Sequence, residues 1–158
     1  EENLALAFRR GDKRTLRIGI TQAERKMYRE VLARLGLGLE NRMTSKVGLL
    51  SGGQRQALTL LMATLKKPKV LLLDEHTAAL DPKTAEVIME LTDKVVKEKK
   101  LTTIMVTHNL RYAVEYGDRL LMMHQGQAII DKAGKEKKEI QIDDILEKFN
   151  AISIECGN

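Results

Sequence analysis

The sequence contains no tryptophan, two phenylalanines and three tyrosines. Its core must therefore be aliphatic, built on Leu, Ile, Val, Met and Ala. Cysteine occurs once, as Cys156, so no disulfide can form within the chain, which fits a reducing cytosol. No apolar run approaches the roughly 20 residues that span a bilayer. The longest, Val70 to Leu73 and Leu120 to Met123, are strand-sized. No secretory signal opens the chain. It starts Glu1-Glu2-Asn3 rather than with Met, and an upstream segment is expected.

Enough apolar residues remain for a packed core, 43% against 31% charged, so the composition is that of a globular chain rather than a disordered one. The formal net charge is +5. Basic residues cluster at Arg9, Arg10, Lys13, Arg14 and Arg17, and again at Lys97, Lys99 and Lys100. Acidic residues are interleaved along most of the chain, and the scarcity of rings denies these clusters stacking partners. They read as a solvated surface, and no nucleic-acid partner is expected.

Local signals order the chain. A short helix is expected over Asn3 to Arg10, and Gly11 to Gly19 reads as a mobile basic insertion. Thr21 and Glu24 form a capping box before Met27, Val31, Leu32 and Leu35 at helical spacing, and Gly36 and Gly38 end that helix. A second helix is expected over Gly52 to Leu65. Val70 to Leu73 reads as a strand covered on both faces. Asp81 and Pro82 are N-cap and first residue of a helix running to about Lys99. Thr102 to Thr107 is β-branched and apolar, a second buried strand. A short helix over Leu110 to Tyr116 follows. Leu120 to Met123 and Gln127 to Asp131 flank a hairpin turn at His124-Gln125-Gly126. A last helix is expected from Asp143 to Phe149, then a frayed tail. From Val70 onward the pattern is that of a parallel α/β sheet with an antiparallel hairpin added.

Three fragments carry chemistry. Val70 to Leu73 ends in two carboxylates, Asp74 and Glu75, and open α/β sheets bind ligands beyond the carboxyl ends of their strands. There, one carboxylate can hold Mg²⁺ and its neighbour can polarise an attacking water. Two solvated acids after a strand are the plainer alternative. Ser51 is a good N-cap, and Gly52 and Gly53 allow close backbone approach at a helix start that attracts anions. A glycine turn before a capped helix would look the same. His108 follows Thr107 at the end of the second strand, where it either donates to a phosphate or simply ends the strand.

Taken in order, LSGGQRQ, VLLLDE, ALDP and a strand ending in Thr-His resemble the ABC ATPase family, over Asn3 to about Asp131. The resemblance implies an α/β fold: part of a P-loop NTPase (RecA-like) parallel sheet with an N-terminal helical subdomain. Residues 1–66 would be the helical subdomain with the signature motif and following helix, and 67–158 the C-terminal part of the α/β core. It also implies roles. Ser51, Gly52, Gly53 and Gln54 match the signature loop that contacts the γ-phosphate of ATP on the opposite subunit. Asp74 matches the Walker B aspartate that holds Mg²⁺, and Glu75 the catalytic glutamate. Asp81 matches the D-loop aspartate that communicates across the dimer, and His108 the switch histidine. The implied cofactors are ATP and Mg²⁺. The implied partners are a second ATPase subunit in a homodimer and transmembrane permease subunits, at the cytoplasmic face of the cell membrane. The activity would be ATP hydrolysis driving solute import. A non-catalytic docking or regulatory module and a DNA-repair type ATPase are the alternatives; the stretch before Leu50 is too short for the coiled coil of the latter.

Two departures matter. The family usually has Pro after the glutamate, where this chain has His76, in DEHTAALDP. That variant, with NLALAFRRG near the start, resembles a bacterial importer group associated with tryptophan or tyrosine. Second, a Walker A loop needs G-x-x-x-x-G-K-[ST]. The only glycine pair at that spacing, Gly48 and Gly53, is followed by Gln54. A fragment, inactive alone, is the expectation. In the family's sheet the Walker A strand lies between the strand ending at His108 and the strand Leu120 to Met123. Ile104, Val106, Leu121 and Met123 are therefore expected to lose packing.

Overall fold

A computed structural model describes residues 1–12 and 19–155. The basic insertion expected between Gly11 and Gly19 lies largely outside the described residues, as does the end of the tail with Cys156. The chain divides into two compact units, Glu1–Met105 and Val106–Asn158.

The first unit begins with α1 (Glu2–Phe8), α2 (Gln22–Ala33), two single 3₁₀ turns at Leu39–Asn41 and Val47–Leu49, and α3 (Gly52–Thr64). The expected capping box opens α2. The Glu24 amide donates to Thr21 Oγ1 at 3.2 Å, and the Thr21 amide donates to Glu24 Oε2 at 2.8 Å. Arg9, just past α1, donates to the other Glu24 oxygen at 2.9 Å, so one carboxylate caps α2 and ties it to α1. After α2 the chain turns through Gly36 and Gly38, whose φ values of 67° and 69° are left-handed, as glycine alone adopts freely. These helices enclose Leu4, Tyr28, Leu32, Leu39, Met43, Leu58 and Leu61. Tyr28 is wholly buried and meets Phe8 edge-on, with ring centroids 6.2 Å apart.

The unit continues with β1 (Val70–Asp74), α4 (Pro82–Lys99) and β2 (Thr102–Val106), a crossover whose two strands pair in parallel. Leu60 of α3 packs with Leu71 and Leu101, backed by Leu91, Val95 and Val96 of α4. So α3 serves two cores, the helical one through Leu58 and Leu61 and the strand one through Leu60. Lys99 Nζ, in the last turn of α4, donates to the Thr64 carbonyl at the end of α3.

The burial of these strands differs from the expectation. Leu71 is buried, but Leu72 is 70% and Ile104 58% exposed. Side chains alternate across a strand, and α3 and α4 cover one face only. An unbroken apolar run does not report how many faces are covered. Ile104, Val106, Leu121 and Met123 are each more than half exposed.

The second unit holds α5 (Leu110–Glu115), β3 (Arg119–His124), β4 (Gln127–Ala133), α6 (Gly134–Glu139) and α7 (Ile142–Glu155). Strands β3 and β4 pair antiparallel, with Leu121 opposite Asp131 and Met122 opposite Ile130, and the register slips by a bulge between Met122 and Met123. The turn falls at Gln125 and Gly126, with φ of 47° and 78°; positive values at both residues mark the turn type that matches strand twist. Leu120, Ile130, Ile140 and Ile145 form its core, with Leu110, Val114 and Met122 packed around them. Helix α6 has no counterpart in the sequence expectation.

Candidate functional site

The signature segment is built by a second capping box. Ser51 caps α3: its Oγ accepts from the Gln54 amide at 3.2 Å, and Gln54 Oε1 accepts from the Ser51 amide at 3.1 Å. Gln54 Nε2 also donates to the Leu37 carbonyl at 3.1 Å. Its side chain is therefore fixed at both ends, and it locks the Leu50–Ser51 turn against the loop after α2. Helix geometry gives the Gly52 and Gly53 amides no acceptor within α3. With the Ser51 hydroxyl, whose proton the cap does not use, they make a compact set of donors at the positive end of a 13-residue helix.

This corner abuts the start of α4. A Cβ built on Gly52 would lie 3.1 Å from Leu80 Cδ2, and one on Gly53 would lie 2.4 Å from Thr84 Cγ2. Asp81 caps α4, accepting from the Thr84 amide at 3.0 Å, with Pro82 at the first helical position as expected. Hydrogen bonds from the Thr84 hydroxyl, and then its amide, hold the Asp81 carboxyl below the usual carboxylate range. The structure thus brings Ser51, Gly52, Gly53 and Gln54 together with Asp81 through the side chains of Leu80 and Thr84.

Asp74 ends β1 and is exposed at its carboxyl end. Glu75 follows with φ of 41°, left-handed, a conformation that costs a residue with a side chain about 1–2 kcal/mol. The Glu75 carbonyl accepts from the Ala78 amide at 2.9 Å, and the Thr77 carbonyl from the Leu80 amide at 3.1 Å. Two stacked turns carry the chain from β1 to the Asp81 cap. Within the first of them, His76 Nε2 lies 3.1 Å from Thr92 Oγ1 in the third turn of α4. Burial pushes the His76 ring below the ordinary histidine value. The departure at position 76 is plain in the sequence. Its partner Thr92, sixteen residues on, is not, because nothing local distinguishes a threonine on the inner face of a helix.

His108 lies in the second unit, exposed. The residues on either side fix its place. Thr107 Oγ1 accepts from the Asn109 amide at 3.1 Å, and Asn109 caps α5 by accepting from the Tyr112 amide at 3.3 Å.

The donor chemistry fits a magnesium nucleotide. Among the described residues no three His, Cys, Asp or Glu gather into a metal cage. One exposed carboxylate at a strand end is what Mg²⁺ takes when phosphate oxygens and water complete its shell. The Ser51, Gly52 and Gly53 donors suit phosphate oxygens.

The ABC transporter family profile matches residues 2–78. The tyrosine transport ATP-binding protein of Clostridioides difficile (strain R20291) is 50% identical over 148 residues, covering 94% of this chain and 59% of the relative. A phosphonates import ATP-binding protein of Frankia casuarinae is 33% identical over 124 residues, covering 78% of this chain and 49% of that one. The chain thus spans 59% and 49% of the length of these two relatives. A solved ATP-binding cassette of an ABC transporter matches with a TM-score of 0.72 at 25% identity, covering 97% of this chain and 60% of that one. The fold class read from the sequence agrees with this likeness.

Proposed function

Because this chain belongs to the ATP-binding domains of ABC transporters, we propose that it supplies the signature and Walker B parts of an ATPase that powers solute import. The observation that carries this reading is the corner in which Gly52 and Gly53, next to Ser51, abut Leu80 and Thr84, six and ten residues past Asp74. One compact unit then carries both the phosphate-facing donors and the acids.

In this reading Asp74 holds Mg²⁺, which when bound draws charge from the phosphate oxygens. Glu75 orients and deprotonates the attacking water. His108 donates to the γ-phosphate. Ser51, Gly52, Gly53 and Gln54 serve ATP on the opposite subunit of a homodimer, and Asp81 reports across that dimer. Residues 1–66 form a helical subdomain that meets the permease, and 67–158 belong to the catalytic core. The sequence holds no G-x-x-x-x-G-K-[ST], so tight ATP binding and turnover need a phosphate loop outside this sequence. No described helix is long and apolar enough to cross a membrane. We place the subunit peripherally, on the cytoplasmic face, against a separate permease. The relative from Clostridioides difficile is named for tyrosine transport, and an aromatic amino acid is the substrate class we assign.

The experiment is Glu75→Gln in the intact ATPase. Glutamine keeps shape and hydrogen bonding but loses the base, so turnover should fall ~10²–10⁴-fold while ATP binding persists. An ATP-bound dimer should accumulate on size-exclusion chromatography. Hydrolysis at the parental rate removes Glu75 from the catalytic role.

A further inference from the structure

Glu75 sits in a left-handed backbone conformation, φ 41°, that a residue with a side chain keeps only when its surroundings impose it. Downstream, the segment is anchored where Asp81 caps α4. At its start, the segment is tied to α4 through His76, the residue after Glu75. Thr92 is buried, 4% exposed, and its hydroxyl donates to the Ile88 carbonyl at 2.7 Å. A hydroxyl has one proton to give. With that proton on the Ile88 carbonyl, the Thr92 oxygen accepts from His76, whose Nε2 then carries the hydrogen. The bond joins the residue after Glu75 to the middle of α4, an 18-residue helix packed on the strand core. Both ends of the connection from β1 to α4 are thus tied to one helix. Proline, usual in the family at this position, has no side-chain donor and could not make this tether.

We propose that His76 is a positioning residue, which holds Glu75 in place at the end of β1 by donating from Nε2 to Thr92 Oγ1. This rests on the reading of Glu75 as the base for ATP hydrolysis. The tether itself can be tested without nucleotide.

The test uses the intact ATPase and four variants. His76→Ala removes the donor. Thr92→Val removes the acceptor at nearly constant volume. His76→Gln keeps an N–H at similar reach, and Thr92→Ser keeps the hydroxyl. His76→Ala and Thr92→Val should each lower kcat roughly ten- to hundredfold, the scale on which small misplacements act. KM for ATP should stay within about twofold, because uniform binding is not what the bond supplies. The double variant should lose no more than either single one, since both delete the same bond. His76→Gln and Thr92→Ser should recover most of kcat. Nitrogen-15 NMR of labelled histidine, without nucleotide, should show His76 as the Nε2–H tautomer, and Thr92→Val should abolish that preference. An Nδ1–H tautomer, multiplicative losses in the double variant, or lower thermal stability with unchanged kcat would each overturn the proposal. Unchanged turnover in Glu75→Gln, with the Nε2–H tautomer still present, would instead overturn the hydrolytic reading and leave the tether standing.

Discussion

Two glycines follow Ser51, and the structure asks different things of them. A methyl on Gly52 would press on Leu80 Cδ2 at 3.1 Å, the tip of a side chain that can swing by tenths of an ångström. A methyl on Gly53 would meet Thr84 Cγ2 at 2.4 Å. That atom cannot give way easily: Thr84 is β-branched, and its hydroxyl is committed to Asp81. Gly53→Ala should therefore destabilise the protein by about 1–3 kcal/mol, the usual range for overpacking. Gly52→Ala should cost less than about 1 kcal/mol. Adding Thr84→Ser to Gly53→Ala removes the obstructing methyl, keeps the hydroxyl, and should restore most of the loss. Urea denaturation at constant m-value measures all three, and a Gly53→Ala protein as stable as its parent would refute the packing account. From sequence, close approach of a ligand was one reason for two adjacent glycines. For Gly53 the structure supplies a second, the neighbouring helix, which no local pattern names because Thr84 lies 31 residues on.

At the scale of elements, the helix starts that the sequence marks with a cap are where the structure puts them. Thr21 with Glu24, Ser51, and Asp81 before Pro82 all cap as expected, because a cap is closed by residues three apart and needs no distant partner. The Gln125-Gly126 turn was legible for the same reason. Helix α6 was not. Its sequence, GKEKKE, has no apolar period, and it is held from outside, with buried Lys137 donating to the Val114 carbonyl. Caps also carry a pH signature. The Thr21 amide, then Arg9 and the Thr21 hydroxyl, hold the Glu24 carboxyl down to about 2 from its ordinary 4.5. A carboxyl with a lowered folded pKa stabilises fully above its unfolded value and loses that contribution as pH falls towards the folded one. The contribution to α2 should be intact above about pH 4.5 and vanish by about pH 2. Glu24→Gln keeps an acceptor without the charge and should flatten this part of the stability curve. Thermal melts by circular dichroism between those limits decide; parallel curves for parent and variant would exclude Glu24 as the titrating group.

At the scale of the whole molecule, what the strands leave uncovered governs how the chain behaves alone. In the first unit, β1 and β2 bury Leu71 on one face and present Val70, Leu72 and Ile104 on the other. In the second, β3 buries Leu120 and presents Leu121 and Met123, at 51% and 60% exposure. Each two-stranded sheet also ends in unpaired edges among the described residues. An apolar face beside an open edge recruits further strands, and natural sheets guard against this with charge, above all lysine. Here the outward positions Leu72, Ile104, Leu121 and Met123 carry none. The isolated 158-residue chain should therefore self-associate at concentrations on the order of 10 μM, within the range where exposed apolar surface and free edges drive association. Leu72→Lys with Ile104→Lys places charge on the uncovered face of the first unit and leaves Leu71 and its packing untouched. That double variant should sediment as a smaller species than the parent, with the same far-ultraviolet circular dichroism. The parental chain running as a single monomeric boundary across the concentration series would show that the exposed face has no cohesive consequence. A double variant that stays associated while the parent does would move the cohesive surface to the second unit, where Leu121→Lys with Met123→Lys is the matching change.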